Sequence, residues 1–342
     1  MALDLLSFFN SKQHFLLSTP FYCLNFTANK RKNDVIELED VQHFTNGFFR
    51  DVTSIDPTAL KTLTGGKKVI CVTTPTTLFL YRTKLDSKLR NQGIKALVPI
   101  LKDRFNIDLS QNKVGVLDAE KGIEVDEKMG LLPENICIIG AQKKELKSIQ
   151  DELAANQFIM QKLGFSSLLL PQGIASYQKM LHMEKPVLVL DFLIQRSCVY
   201  VVGRGQILAA YPPTHGLKNL LTLGRKELNL QDDITTLRYL TKEITRHDDQ
   251  MEMLLSRLLS DVKSFVNFFE IQTNESIENI FVAGLPNELF WIEVFLSKSL
   301  EIPQFAIDYE EWMKHEKIVM PQQKIPPKAL FGMMNALIHY KI

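Results

Sequence analysis

Apolar and polar positions divide the chain into short all-apolar runs, alternating runs and long helical stripes, and each predicts a different element. Val187–Leu190 is apolar at every position, as a strand covered on both faces requires, and it ends on Asp191. Cys198–Val202 is a second such run; it meets Gly203-Arg204-Gly205, a hairpin signal, and Gln206–Tyr211 returns. Pro186–Pro213 therefore reads as three short strands joined by two tight turns. The same plan stands about 170 residues earlier. There Phe15-Leu16-Leu17 and Tyr22–Phe26 flank Ser18-Thr19-Pro20, and Asp34–Leu38 pairs as a third strand after the polar turn Asn29–Asn33. A duplication is the simplest account.

Further strands are expected at Val69–Val72, Leu78–Tyr81, Val114–Leu117, Gly122–Val125, Asn135–Gly140 and Ser166–Leu170. Asn279–Ala283 ends on Gly284, and Gln304–Ile307 follows the turn Glu301-Ile302-Pro303. Met251–Glu270 carries the clearest helical stripe, with Leu254, Leu258, Val262, Phe265 and Phe269 on one core-facing side. Helices are also expected over Asp56–Thr64, where Pro57 suits an early position, and over Ile94–Phe105 on Ile94, Leu97, Val98 and Leu101. Gln142–Phe158 sets Leu146, Ile149 and Leu153 together, and Leu289–Leu300 and Pro327–Ile338 complete the set. Strands alternate with helices, so the class is α/β.

Composition narrows the picture. At 342 residues the chain exceeds one core, and about two to four subdomains are expected. Forty basic against 39 acidic residues leave no electrostatic footprint for nucleic acid, and Lys30-Arg31-Lys32 reads as a solvated hairpin tip. The four cysteines each sit inside an apolar run with no CxxC pair, which points to buried free thiols in a reducing cytosol rather than zinc. No apolar stretch reaches the roughly 18 residues of a membrane span, and no signal peptide precedes the first strand. Met1–Phe9 is short and amphipathic; it is a frayed or docked terminus, or a contact to a membrane surface or partner.

Catalytic signals are thin. Gly65-Gly66-Lys67-Lys68 lacks the first glycine and the metal-binding Ser or Thr of a Walker loop, so a polar turn before a strand is the better reading. The seven histidines form no HExxH, no nucleophile elbow occurs, and His215 beside Gly216 is a lone loop histidine. Arg196 suits an anion site or a salt bridge between lobes.

In order and spacing these units resemble the PilM family, the actin-like cytoplasmic proteins of type IV pilus machines. The cytoplasmic domain of the type II secretion protein GspL and the division protein FtsA are its relatives. The motifs are Val69–Pro75 with Phe79–Arg82, Ile136–Pro171, Val187–Pro213 followed by Gly216, and Ile280–Pro303. They cover almost the whole chain, and their order carries the inference more than any one of them. The resemblance implies an α/β actin-like ATPase (ribonuclease-H-like) duplicated fold, two lobes with a small inserted subdomain in the first lobe. The boundaries expected are 1–82 for the first lobe's opening part, 83–140 for the inserted subdomain and 141–185 for the rest of that lobe. The second lobe is expected at 186–342, with a helical part about 217–272.

An actin-like site needs glycine turns for phosphate, acids for Mg²⁺ and a glycine turn for adenosine. Here Ser18 and Thr19, with Pro20, stand where Asp-x-Gly-Ser belongs. Asp191 is kept, as a strand-end hydrogen-bonding group or a metal-associated acid, but Leu193 replaces glycine, at a cost of roughly 1 kcal/mol if φ is positive. Gly284 alone survives of the third turn. These degenerate positions imply a pseudo-ATPase with no cofactor, ATP and Mg²⁺ being disfavoured.

The resemblance implies a non-catalytic scaffold at the inner membrane's cytoplasmic face. Such a scaffold binds the tail of a bitopic inner-membrane protein and contacts the assembly ATPase, with a homodimer as a further option. In the family the tail lies in a groove between the first lobe and its inserted subdomain. By position Phe79, Tyr81, Leu97 and Leu101 are the residues to suspect. The alternatives are an active ATPase or sugar-kinase-like phosphotransferase, and an FtsA-like division protein. The last usually ends in a linker and a membrane helix, whereas this sequence runs from the helix Ala329–His339 to Ile342.

Overall fold

The computed structural model describes residues 12–19, 22–45, 68–93, 97–121, 125, 130–244, 247–321 and 325–340. The segment Met1–Phe9, the helix expected over Asp56–Thr64, most of the GGKK turn and most of the strand expected at Gly122–Val125 lie outside these residues.

Thirteen strands are described: β1 (Gln13–Ser18), β2 (Tyr22–Lys30), β3 (Ile36–Thr45), β4 (Lys68–Thr73), β5 (Phe79–Lys84), β6 (Asn112–Asp118), β7 (Asn135–Gln142), β8 (Ile159–Phe165), β9 (Val187–Phe192), β10 (Arg196–Gly203), β11 (Gln206–His215), β12 (Asn279–Ala283) and β13 (Ile318–Val319). The helices are α1 (Ser87–Arg90), α2 (Leu97–Asp103), α3 (Lys143–Ala155), α4 (Ser166–Met180), α5 (Leu217–Glu227), α6 (Asp233–Lys242), α7 (Asp248–Thr273), α8 (Trp291–Leu300), α9 (Tyr309–His315) and α10 (Pro327–Tyr340). The strands form three sheets, ordered β13-β3-β2-β1-β4-β8, β11-β10-β9-β12 and β5-β7-β6.

The duplication is explicit in the pairing. In the first sheet β1 runs antiparallel to β2 and parallel to β4; in the second β9 runs antiparallel to β10 and parallel to β12. Even the fifth strand has a remnant. Where β8 lies parallel beside β4, the second sheet has a single parallel bridge between Ile280 and Gln304. The strand expected at Gln304–Ile307 is reduced to that bridge, closed by Ile280 N–H on Pro303 O at 2.9 Å and Phe305 N–H on Ile280 O at 2.8 Å.

Alternation places the cores. Val187 and Val189 face a core shared with the first sheet, while Leu188 and Leu190 face the helical layer of α5 to α8. Likewise Cys137 and Ile139 of β7 join the shared core, whereas Ile136 and Ile138 pack with Leu85, Leu97 and Leu101 inside the small sheet's own cluster. On the far face of the first sheet, Leu16, Cys23, Val69 and Cys71 pack on Ile149 and Leu153 of α3. All four cysteines are buried free thiols.

Three departures from expectation have physical causes. Ser166–Leu170, expected as a strand, is the first turn of α4, and the strand is the preceding β8. A short apolar run does not distinguish a buried strand from a buried helix turn. Second, β5 and β7 lie whole in the small sheet, so the cuts expected after 82 and 140 fall inside strands. Third, the final segment leaves the second lobe: Ile318 pairs with Ile36, and α10 packs on α4 and β2. Its fully buried Trp312, Met333 and Met334 complete the shared core, which the first sheet cannot close alone.

Candidate functional site

Register aligns the two repeats residue by residue. Ser18 faces Cys23 on one side and Thr73 on the other; Asp191 faces Cys198 and Ala283. Ser18 therefore occupies in the first repeat the place that Asp191 occupies in the second. Both are buried, at 3% and 4% exposure.

Thr19, Asp191 and Gly284 meet at one cavity between the lobes, and Ser18 stands beside it at the end of β1. The cavity measures about 60 Å³. That admits a few waters and falls far below the roughly 300 Å³ at which small-molecule sites begin. Its walls are apolar: Tyr22, Leu170, Leu193, Leu285 and Phe281 converge on it, and Phe331, Gly332 and Asn335 of α10 close it. The contribution of α10 has no counterpart in the sequence reading. A glycine inside that helix was the available signal, because a Cβ at Gly332 would stand 2.5 Å from the Tyr22 hydroxyl oxygen.

Burial pushes the Asp191 carboxyl up to about 6, and its Oδ2 has no hydrogen-bond partner among the described residues. Gly284 has φ +72°, and a Cβ there would lie 2.5 Å from Phe192 O and 2.9 Å from Asp191 Oδ1. The glycine is thus required by the strand end it packs on. Leu193 carries no strain: its φ is not positive, its N–H donates to Arg196 O at 3.0 Å, and its side chain is buried. The expected cost at that turn does not arise.

The same turn occupies a neighbouring helix start. Leu217 and Lys218 N–H donate to Leu193 O and Ile194 O at 2.9 and 2.8 Å, so these amides of α5 are already engaged. Among the described residues Arg196 forms no salt bridge. Its guanidinium donates across the lobes to the carbonyls of Thr76 and Leu78. The loop it grips is held from the other side by Glu145 of α3, which accepts Thr76 N–H at 2.6 Å, Thr77 N–H at 3.0 Å and both threonine hydroxyls.

A larger groove of about 650 Å³ opens between the first lobe and the small sheet. Val114 and Leu117 of β6, Leu146 of α3, and Leu163 and Phe165 of β8 line it, with Lys113, Lys143 and Lys147 among its polar residues. His339 of α10 stands in its wall and shares a 2.6 Å hydrogen bond with Gln172; burial pushes its imidazole down to about 4. The four residues suspected for partner contact are elsewhere. Leu97 and Leu101 are buried at 1% and 4%, and Phe79 and Tyr81 pack against the same small core, Tyr81 on Phe105. Leu97 and Leu101 thus belong to the small sheet's core, while Phe79 and Tyr81 lie half-buried against it. Among the described residues no three His, Cys, Asp or Glu side chains gather as a metal site, and no helix is long and apolar enough to cross a membrane.

No protein-family model matches the chain. Curated protein sequences hold no match either. Among solved structures, a chain of the PilM–PilN type IV pilus biogenesis complex superposes with TM-score 0.68 at 14% identity, over 96% of this chain and 98% of that one. A protein of actin-like ATPase fold from Bacteroides thetaiotaomicron follows at TM-score 0.47 and 9% identity, over 99% of each chain. The cytoplasmic domain of EpsL, an inner-membrane component of the Vibrio cholerae type II secretion system, gives 0.42 and 10%, over 96% of this chain and 95% of that one. With its paired sheets, shared core and small third sheet, the chain has the actin-like fold, in the form seen in the pilus biogenesis complex.

Proposed function

We propose that the chain is a non-catalytic binding scaffold of a type IV pilus or type II secretion-like assembly. It holds the cytoplasmic tail of an inner-membrane partner and contacts the assembly ATPase from the cytoplasmic side. The observation that carries the reading is the division of space. The chain's own side chains fill the position between the repeats, while an apolar groove of about 650 Å³ lies open between the first lobe and the small sheet. A groove of this size accepts a few apolar side chains of an extended or helical segment.

The test is a titration of the full chain with the labelled cytoplasmic tail of a PilN-type inner-membrane protein. Binding is expected, and Leu146→Glu, at a half-buried groove position, weakens it at least about tenfold, or 1.4 kcal/mol. In parallel, Mg-ATP leaves the unfolding temperature unchanged. Saturation at about 100 times a dissociation constant would add about 2.7 kcal/mol, so a clear rise would favour the ATPase reading instead.

A further inference from the structure

The second lobe has a different groove, of about 760 Å³, between α5 and α7, and it shares no residue with the groove of the first lobe. Its charged lining is of one sign. Lys218, Arg225 and Lys226 come from α5, Arg257 from α7, and no carboxylate lines it. This is segregation, because the whole chain is nearly neutral at +1. Arg225 reaches Asp233 at 3.7 Å and Lys226 reaches Glu227 at 3.5 Å, whereas Lys218 and Arg257 form no ion pair among the described residues.

We propose that this groove docks an acidic segment of a protein partner. Spacing favours a segment over a single anion. Lys218 and Arg225 are seven residues apart on one face of α5, about 10 Å along the axis, with Thr222 between them. A lone phosphate or carboxylate does not span that distance, while an acidic helix with carboxylates two turns apart does. Half-buried Leu223 also lines the groove, over the buried floor of Leu254, Leu255 and Leu258, and it suits an apolar residue set between the acids. Concavity favours a peptide over a lipid surface, since the cations line two facing helices rather than one projecting plane. Converging cations of this kind raise the association rate and make binding fall with salt.

Fluorescence anisotropy of the full chain with a labelled helical peptide of Glu-Glu-Leu blocks tests the proposal. Binding at low salt that weakens steeply at high salt is expected. Lys218→Glu with Arg257→Glu weakens it at least about tenfold. Lys218→Arg with Arg257→Lys retains it, and Lys88→Glu with Lys102→Glu, at exposed positions of α1 and α2 outside both grooves, leaves it unchanged. The proposal is overturned by absence of binding at low salt, or by equal losses in both charge-reversal pairs, which would mark a net-charge effect. It is equally overturned if phosphatidylglycerol vesicles or inorganic tripolyphosphate, and not the peptide, bind through Lys218 and Arg257. Failure here leaves tail binding at the first groove untouched, so the two readings separate.

Discussion

Asp191 holds a carboxyl at 4% exposure whose Oδ2 has no hydrogen-bond partner among the described residues; burial raises it to about 6 against a smaller lowering by Ser167, and that rise is a statement about stability as well as chemistry. The folded chain keeps the proton to higher pH than the unfolded chain does. Between about pH 4 and 6 the unfolded state therefore binds fewer protons, and stability falls as pH rises. The rise corresponds to about 3 kcal/mol at 1.4 kcal/mol per pH unit. Asp191→Asn should remove that loss, making the protein more stable at pH 7 by on the order of 2–3 kcal/mol and indistinguishable below about pH 4. Urea unfolding at several pH values measures it; a variant less stable at pH 7 would show the carboxylate to be an engaged group. His339 has the opposite sign. Its folded value is lowered to about 4, so its contribution is present above about 6.5 and is lost as pH falls from there to about 4. His339→Gln should abolish that acid-side loss, whose slope opposes the one from Asp191 over the same range. The sequence showed Asp191 at a strand end and Leu193 in place of a glycine. It could not show that Leu193 keeps an ordinary φ, because backbone conformation is decided by the Leu193–Arg196 hydrogen bond and by burial.

At the scale of elements, short all-apolar runs ending at turn residues made the duplicated strands legible, since the central strand of each repeat is buried on both faces. Where burial is all-round the pattern loses its period, and Leu168-Leu169-Leu170 became helix instead of strand. The partner that covers this helix is remote in sequence. Gly173 of α4 lets Asn335 of α10 approach so closely that any Cβ at 173 would overlap Asn335 Oδ1. Gly173→Val should cost about 1–3 kcal/mol by overpacking. Adding Asn335→Ala should recover part of it in a double-mutant cycle, whereas additive losses would mean that the two positions do not meet. The candidate site suffered from the same blindness: its two turns and Gly284 could be read in order, but α10, which closes the cavity, could not be placed there by local pattern.

Across the whole molecule, the lobes are joined by a core and by a polar clamp of different character. The core is continuous from Phe15 and Ile70 of the first sheet to Val189 and Phe281 of the second, and it is non-directional. The clamp is directional. Arg196 donates from the second lobe to the Thr76 and Leu78 carbonyls, and Glu145 receives the Thr76 and Thr77 N–H groups, so the loop entering the small sheet is held from both sides. Arg196→Gln removes two charge-assisted hydrogen bonds and leaves part-buried carbonyls unpaired, at about 2–4 kcal/mol if neither is replaced by water. Hydrogen exchange separates the two devices. In the variant, amides of Thr76 to Leu80 should exchange faster, while those of β9, buried on both faces, keep wild-type protection. If both segments loosened together, the clamp and the core would form one cooperative unit. If neither changed, water would have replaced the guanidinium and the lobes would be held by apolar burial alone. Glu145 sits on the same helix that gives Leu146 and Lys147 to the open groove, so a loosened loop should reach that wall. Tail binding in the Arg196→Gln variant should accordingly weaken a few-fold, less than in Leu146→Glu, because the clamp positions the wall without touching the occupant.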